Sequence, residues 1–380
     1  MASDFCEETK EKLKTNFDHG HKEDSHFVAM LKACADKKDL HKGMKIHADI
    51  RRNGLLEKNP YVASSLICMY AKCGFLTKAQ QVLEKLPNRS VVSWNALISG
   101  YVESGDNERA LKSFEEMQIE GLLPDTVTFI FTMKVCGNAG ATNMGSEIHA
   151  AIARKGLMEG DISIGCSLVE MYTKFGWLEI AQNLFDKLPL HNVVSWNSLI
   201  AGYIQHDQGY EALKCFEQMQ GEGLSPDAVT FLCVLKACSS TGAIEVGRHI
   251  HDEIVRRGLL EKDVVLGTAL IDMYAKCGEL ATATYVSNQL SKRDVVSWTA
   301  LIAGYVQHGF CDEALDCFSK MKSEGLAPNK VTFSCILKAC SSTGALEQGK
   351  TLHDLARKAR ISTNVLVGNA LIDMYSKCGC

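Results

Sequence analysis

Proline is scarce in this chain, six among 380 residues, so long helices can run without interruption. No apolar run approaches the roughly 20 residues that a membrane-crossing helix needs, which excludes a helical span. An excess of positive charge is also missing. Lys and Arg number 41 against 45 Asp and Glu, for a formal net charge of −4. Nucleic-acid binders are ordinarily basic, so this balance weighs against polyanion binding by bulk charge. It leaves open the field of a local groove, which depends on nearby charges rather than on their sum. No C-x-x-C pair occurs among the sixteen cysteines. Zinc sites usually draw on such close pairs, so no metal is expected. Sixteen cysteines without an apparent secretory signal point to reduced thiols in an intracellular compartment. Residues 1–23 carry Asp4, Glu7, Glu8, Glu11 and Asp18, whereas organelle transit peptides are Arg-rich and poor in acids. A presequence is therefore either missing from this chain or not used by it.

What is abundant is self-similarity. Val91-Val92-Ser93-Trp94 returns at Val193–Trp196 and Val295–Trp298, each step being 102 residues. The same step links His47, His149, His251 and His353, then Gly43, Gly145, Gly247 and Gly349, and also Cys34, Cys136, Cys238 and Cys340. Each block divides into three helix-turn-helix units of 35, 36 and 31 residues, as in 91–125, 126–161 and 162–192. In the first of these, Trp94, Leu97, Ile98 and Tyr101 form one apolar stripe. Ala110, Leu111, Phe114 and Met117 form a second, after a break at Ser104-Gly105-Asp106. Gly121 and Pro124 close the unit. Units start at 24, 60, 91, 126, 162, 193, 228, 264, 295, 330 and 365, and the last is cut off after Cys380. A hairpin of this length cannot bury its stripe alone, but neighbours stacked on both sides can. The expected fold is an all-α solenoid of about ten hairpins over residues 24–380, preceded by a non-repeat segment.

The strings VVSWNALISGYVESGDNERALKSFEEMQIEGLLPD, KACSSTGAIEVGRHIHDEIVRRGL and MYAKCG with a following LP resemble the P-, L- and S-type motifs of plant pentatricopeptide repeat proteins. The resemblance spans nearly the whole chain. Tetratricopeptide arrays keep a single 34-residue period and do not show this alternation. The resemblance implies a right-handed superhelix of P-L-S triplets and sequence-selective binding of single-stranded RNA. It further implies a role in RNA processing or C-to-U editing in a mitochondrion or chloroplast, with an effector protein as a further partner. No cofactor, small-molecule substrate or membrane is expected.

Internal repeats separate fixed columns, read as structural, from polar columns that vary. The fifth residue of the 35-residue units is Asn95, Asn197 or Thr299, and the last is Asp125, Asp227 or Asn329. In the 31-residue units the fifth residue is Ser64, Cys166, Thr268 or Asn369, and the last is Ser90, Asn192 or Asp294. Fifth residues lie early in a first helix and last residues directly before the next, so both can face one groove. Short amides, hydroxyls and carboxylates there suit the Watson–Crick edge of a base. Helix caps and turn formers are the alternative account of the same residue types. The resemblance implies that the two positions jointly select a base while the second residue, here Val92, Val194, Val265 or Val296, packs against it. It also implies that Asn with Asp takes uridine, Thr with Asp guanosine, and Thr with Asn adenosine. Read with the N-terminal units toward the 5′ end, the array takes 5′-U-N-N-U-N-G-A-3′. Cys166 with Asn192 and Ser64 with Ser90 match no such pair. The 36-residue units carry Val28, Ile130, Leu232 and Ser334 at position five; three of the four cannot hydrogen-bond a base, which marks these units as spacers or weak contributors.

Some relatives of this kind end in a cytidine deaminase, whose chemistry needs H-x-E together with P-C-x-x-C. His251-Asp252-Glu253 fits the first element, but the column reads His47-Ala48-Asp49, His149-Ala150-Ala151 and His353-Asp354-Leu355 elsewhere, and no P-C-x-x-C follows. The cysteine of MYAKCG becomes Phe175 in one copy, so that column is packing rather than ligation. No catalytic domain and no nucleotide-binding loop are expected. A peptide-binding scaffold of the tetratricopeptide kind is the competing reading, and the acidic charge favours it.

Overall fold

The computed structural model describes residues 25–158 and 161–379. The N-terminal segment read as non-repeat and the final Cys380 lie outside the described residues. Every regular element among the described residues is a helix: α1 (25–37), α2 (Leu40–Arg52), the single turn α3 (Leu55–Lys58), α4 (Pro60–Lys72), α5 (Leu76–Glu84), α6 (Val91–Ser104), α7 (Asn107–Ile119), α8 (Thr126–Ala139), α9 (Thr142–Arg154), α10 (Ile162–Lys174) and α11 (Leu178–Asp186). These make up one compact unit, which closes at His191. A second unit opens at Asn192. It holds α12 (Val193–Gln205), α13 (Gly209–Gly221), α14 (Ala228–Thr241), α15 (Ile244–Arg256), α16 (Val264–Lys276), α17 (Leu280–Gln289), α18 (Val295–Gln307), α19 (Cys311–Ser323), α20 (Lys330–Thr343), α21 (Leu346–Lys358) and α22 (Val365–Lys377).

Within each unit the helices alternate in role. First helices pack in sequence, α4 on α6 and α6 on α8 in one unit, α14 on α16 and α16 on α18 in the other. Most second helices wedge between their own first helix and the next, as α7 does with α6 and α8. The apolar stripes dictate this layering. Trp94, Leu97, Ile98 and Tyr101 on α6 are buried, as are Ala110, Phe114 and Met117 on α7, while Leu111 is only half-buried. Each Leu, Ile, Phe or Met side chain among them taken fully out of water contributes roughly 1.5–3 kcal/mol.

Two recurrent polar clamps fix the hairpins. The indole Nε1–H of Trp94 donates to Glu120 Oε2 at 3.0 Å, that of Trp196 to Glu222 at 3.0 Å and that of Trp298 to Glu324 at 2.8 Å. Each ties the start of a hairpin to its end. His47 and Tyr70 share a hydrogen bond of 2.8 Å, as do His149 and Tyr172 at 2.9 Å, and His251 with Tyr274 and His353 with Tyr375, both at 3.0 Å. These link the second helix of a 36-residue hairpin to the following first helix. Helices also approach too closely for ordinary side chains. A Cβ placed on Gly304 of α18 would stand 2.5 Å from Cβ of Ala275 on α16, which cannot move aside.

Candidate functional site

From α4 onward, first helices begin with a side-chain cap, and the cap is the last residue of the preceding unit. Ser90, Asp125, Asn192, Asp227, Asp294 and Asn329 each form a capping box with the third helical residue, which is Ser93, Thr128, Ser195, Thr230, Ser297 and Thr332 respectively. The capping account of these last-position residues is therefore correct as geometry. Such a box satisfies two backbone donors that a helix start would otherwise leave open.

Fifth-position residues meet these caps. Asn95 Nδ2 donates to Asp125 Oδ1 at 3.0 Å, and Asn95 Oδ1 accepts from the Thr128 hydroxyl at 2.7 Å. Asn197 repeats this with Asp227 at 3.0 Å and Thr230 at 2.7 Å. Thr299 lies 2.7 Å from the Thr332 hydroxyl and donates to Val295 O. Asn95, Asn197 and Thr299 retain only 7, 9 and 7% exposure, because each completes the cap of the next helix. Thr268 is half-buried and donates to Val264 O at 2.9 Å, while Ser64 is buried and donates to Tyr61 O at 3.1 Å. Cys166 is half-buried on α10, and burial pushes its thiol pKa up.

The bonds from Asn95 and Thr128 reach Asp125 through Oδ1, and those from Asn197 and Thr230 reach Asp227 through the same oxygen. Burial raises the pKa of both carboxyls, but the donors from Thr128 and Asn95, and from Thr230 and Asn197, outweigh it and hold both below the ordinary carboxylate range. Asn329 likewise spends Oδ1 on Val331 N and Thr332 N.

Beside each pair stands an apolar side chain in solvent. Val92, Val194, Val265 and Val296 are exposed. The same position elsewhere, which was not singled out from sequence, holds exposed Tyr61, Val127, Val229, Val331 and Leu366. A β-branched residue two places after a polar cap is the signal that could have found most of them. In the N-terminal unit, α1, α4, α6 and α8 line a shallow groove of about 390 Å³. It brings Ser64, Val92 and Asn95 together with Lys32 and Lys72.

Other candidates resolve as structure. His251 is engaged with Tyr274, and Glu253 with Arg256 and Arg257, so H-x-E assembles no centre. Phe175 packs edge-on against Tyr172 and Trp177. Gly344-Ala345-Leu346-Glu347-Gln348-Gly349-Lys350-Thr351 has the G-x-x-x-x-G-K-T spacing of a phosphate-binding loop, which runs against the expectation of none. Such a loop must wrap free backbone N–H groups around a phosphate after a strand. Here Gly344 ends α20, Leu346 onward is already α21, Gly349 N–H donates to Ala345 O, and Lys350 pairs with Glu347. The match is a coincidence of spacing.

Residues 89–138, 191–240 and 293–342 match the model described as PPR repeat family, and residues 61–91 match the PPR repeat. A chloroplastic pentatricopeptide repeat-containing protein of Arabidopsis thaliana is 36% identical over 353 residues, 93% of this chain and 57% of that relative. A mitochondrial one from the same plant is 34% identical over 358 residues, 94% of this chain and 34% of its own length. The chain thus spans little more than half, or about a third, of these relatives. Among solved structures, the pentatricopeptide repeat protein PPR10 in complex with an 18-nt psaJ RNA element aligns at TM-score 0.68 and 19% identity, covering 85% of this chain and 48% of that one. That likeness is one of fold.

Proposed function

Because the chain belongs to the pentatricopeptide repeat family, we propose that it binds single-stranded RNA with base preference and is the targeting part of an organellar RNA-processing or C-to-U editing system, with catalysis left to an effector protein. The organelle follows the names of its relatives, chloroplastic and mitochondrial. The ligand class extends that of the RNA-bound neighbour. The units fall in P-L-S triplets over residues 24–380.

The observation that carries the reading is the hydrogen-bonded pair of polar side chains at a unit junction, set beside an exposed apolar residue. Its remaining valences have the right complementarity. Asn95 and Asp125 engage one amide N–H and one carboxylate oxygen internally, which leaves one Nδ2–H donor and Oδ2 as acceptor. A uracil edge offers O4 to the donor and N3–H to the acceptor. Asn197 with Asp227 is the same device. Thr268 spends its proton on Val264 O, so with Asp294 it offers acceptors only, suited to the N1–H and N2–H donors of guanine. Thr299 spends its proton on Val295 O, and Asn329 keeps its Nδ2 donors. Together they give an acceptor for adenine N6–H and a donor for N1. Val92, Val194, Val265 and Val296 then bear on the base faces. The register is 5′-U-N-N-U-N-G-A-3′, with Ser64, Ser90, Cys166 and Asn192 in contact positions of undefined preference.

Edge contacts of this sort discriminate by roughly 1–3 kcal/mol, taking bidentate base readout as the guide, which is about 5- to 150-fold. The test is the double change Asn197→Thr with Asp227→Asn, assayed on RNAs differing only at the second U. Preference should move from U to A at that nucleotide alone. Equal loss on both RNAs, or no change, favours the peptide-binding scaffold, which the −4 charge also favours.

A further inference from the structure

Three of the four 36-residue units carry at position five a side chain that cannot hydrogen-bond a base, yet all four carry a lysine in a fixed place. Lys32, Lys134, Lys236 and Lys338 stand at position nine of successive units of this type, one in every 102 residues. Position nine is four residues after Val28, Ile130, Leu232 and Ser334, so it lies on the same helix face one turn along, about 6 Å further down the axis. All four lysines are exposed. No ion pair or hydrogen bond among the described residues engages any of their ammonium groups.

The contrast is with a second lysine column on the 31-residue units. Lys72 pairs with Asp36 at 3.5 Å, Lys174 with Glu170 at 2.7 Å, Lys276 with Asp272 at 2.7 Å and Lys377 with Asp373 at 3.0 Å. Every member of that column is held in an ion pair and no member of the first is, although Lys338 lies close enough to Asp373 to help lower its pKa. Where a groove closes around the column, in the N-terminal unit, Lys32 lines the same 390 Å³ space as Ser64, Val92 and Asn95.

We propose that Lys32, Lys134, Lys236 and Lys338 form a phosphate-binding column, two lysines in each compact unit, that grips the sugar-phosphate backbone of the RNA once every three nucleotides regardless of sequence. The proposal rests on the reading of the chain as a single-strand RNA binder. It gives the 36-residue units a task other than spacing, in which the fifth residue, apolar in three of the four, leaves the base while the lysine one turn away takes the strand. It also bears on binding by an acidic chain, since these cations have no ion-pair partner among the described residues and Lys32 lies beside Ser64 and Asn95.

The experiment uses the whole chain and a synthetic single-stranded RNA carrying 5′-UNNUNGA-3′, titrated over a series of salt concentrations. The variant combines Lys32→Gln, Lys134→Gln, Lys236→Gln and Lys338→Gln. Each phosphate contact on a single strand contributes roughly 0.7 to the slope of log K against log salt. The slope should therefore flatten by about 3, and the affinity deficit should grow about sevenfold with each halving of salt. The ratio of affinities for RNAs with U or A at the second U should stay as in the parent, and the quadruple Lys→Arg variant should keep the parent slope. A slope unchanged in the Gln variant, or a loss confined to base discrimination, overturns the column. A parent chain that holds no RNA at any salt overturns the underlying reading and the column with it, an outcome distinct from RNA binding with an unaltered slope.

Discussion

Thr230 is a position where stability and base selection should fail together. Its side chain is fully buried. Its hydroxyl accepts the Asp227 N–H at 3.1 Å and lies 2.7 Å from Asn197 Oδ1 and 2.9 Å from Asp227 Oδ1. Thr230→Val keeps the shape and removes all three contacts. The Asp227 N–H and Asn197 Oδ1 then lack a buried partner, a loss of about 1–3 kcal/mol. Asn197 is left with its single bond to Asp227, so its amide plane is no longer fixed from both sides. With a hydrogen bond worth about 1 kcal/mol net, discrimination between U and A at the nucleotide assigned to this pair should narrow by about fivefold. Neighbouring nucleotides should keep their preference. Thermal melting followed by circular dichroism measures the first effect, and competition between RNAs differing at that base measures the second. A lowered melting point with the U/A ratio unchanged would show that the hydroxyl serves the cap alone, and the argument that it positions Asn197 would be refuted.

Acid should destabilise the array before its carboxylates titrate. Burial lowers the pKa of His47, His149 and His251, reinforced at His47 by Arg51, Lys78 and Lys85. An unfolded imidazole titrates near about 6.5, so below that pH the unfolded chain binds protons that the folded one resists and stability falls as pH falls. The melting temperature should drop between about pH 7 and 5, and replacing the three histidines with glutamine should flatten that dependence. An equally steep profile in the variant would place the titration elsewhere. Gly304→Ala should destabilise by about 1–3 kcal/mol, although alanine is the better helix former by about 1 kcal/mol, because the added methyl meets the Ala275 methyl at 2.5 Å. A raised melting point in that variant would count against so close a crossing of α16 and α18.

The helices were legible because they depend on local pattern. The apolar stripe of Trp94, Leu97, Ile98 and Tyr101 and the punctuation at Gly105 are read within one turn or two, and the 102-residue recurrence checks each reading against its copies. The candidate pairs were legible as residue types at fixed offsets, but their state was not. Whether Asn95 is open or engaged depends on Thr128, 33 residues away in the next unit. That threonine belongs to a column so constant, with Thr230 and Thr332 as copies, that it attracts no notice as a partner. The same limit applies to charge, since Lys32 and Lys72 look alike until the second is found against Asp36. The string from Gly344 to Thr351 errs in the opposite direction, because spacing without a preceding strand carries no phosphate-binding geometry. Uniform repetition also conceals the division at His191 and Asn192, where the sequence period continues unbroken.

The shared capping box restricts what such an array can come to recognise. Asp125, Asp227, Asp294 and Asn329 each start a helix with the oxygen that they do not present outward. Only Asn, Asp, Ser and, less well, Thr start helices in this way, and alanine there forfeits about 0.5–2 kcal/mol. The vocabulary open to selection at the last position is thus close to the set of good helix starters, whatever base is sought. A change of target by Asp→Asn exchanges an acceptor for a donor on the outward atom and leaves the inward one intact, so one substitution can retarget a unit without unfolding its neighbour. Residues with larger hydrogen-bonding fans, such as Arg or Gln, would read a base edge as well but would forgo the side-chain cap, as Gln208 does at the start of α13. Retargeting in this chain should therefore proceed by small steps among four side chains.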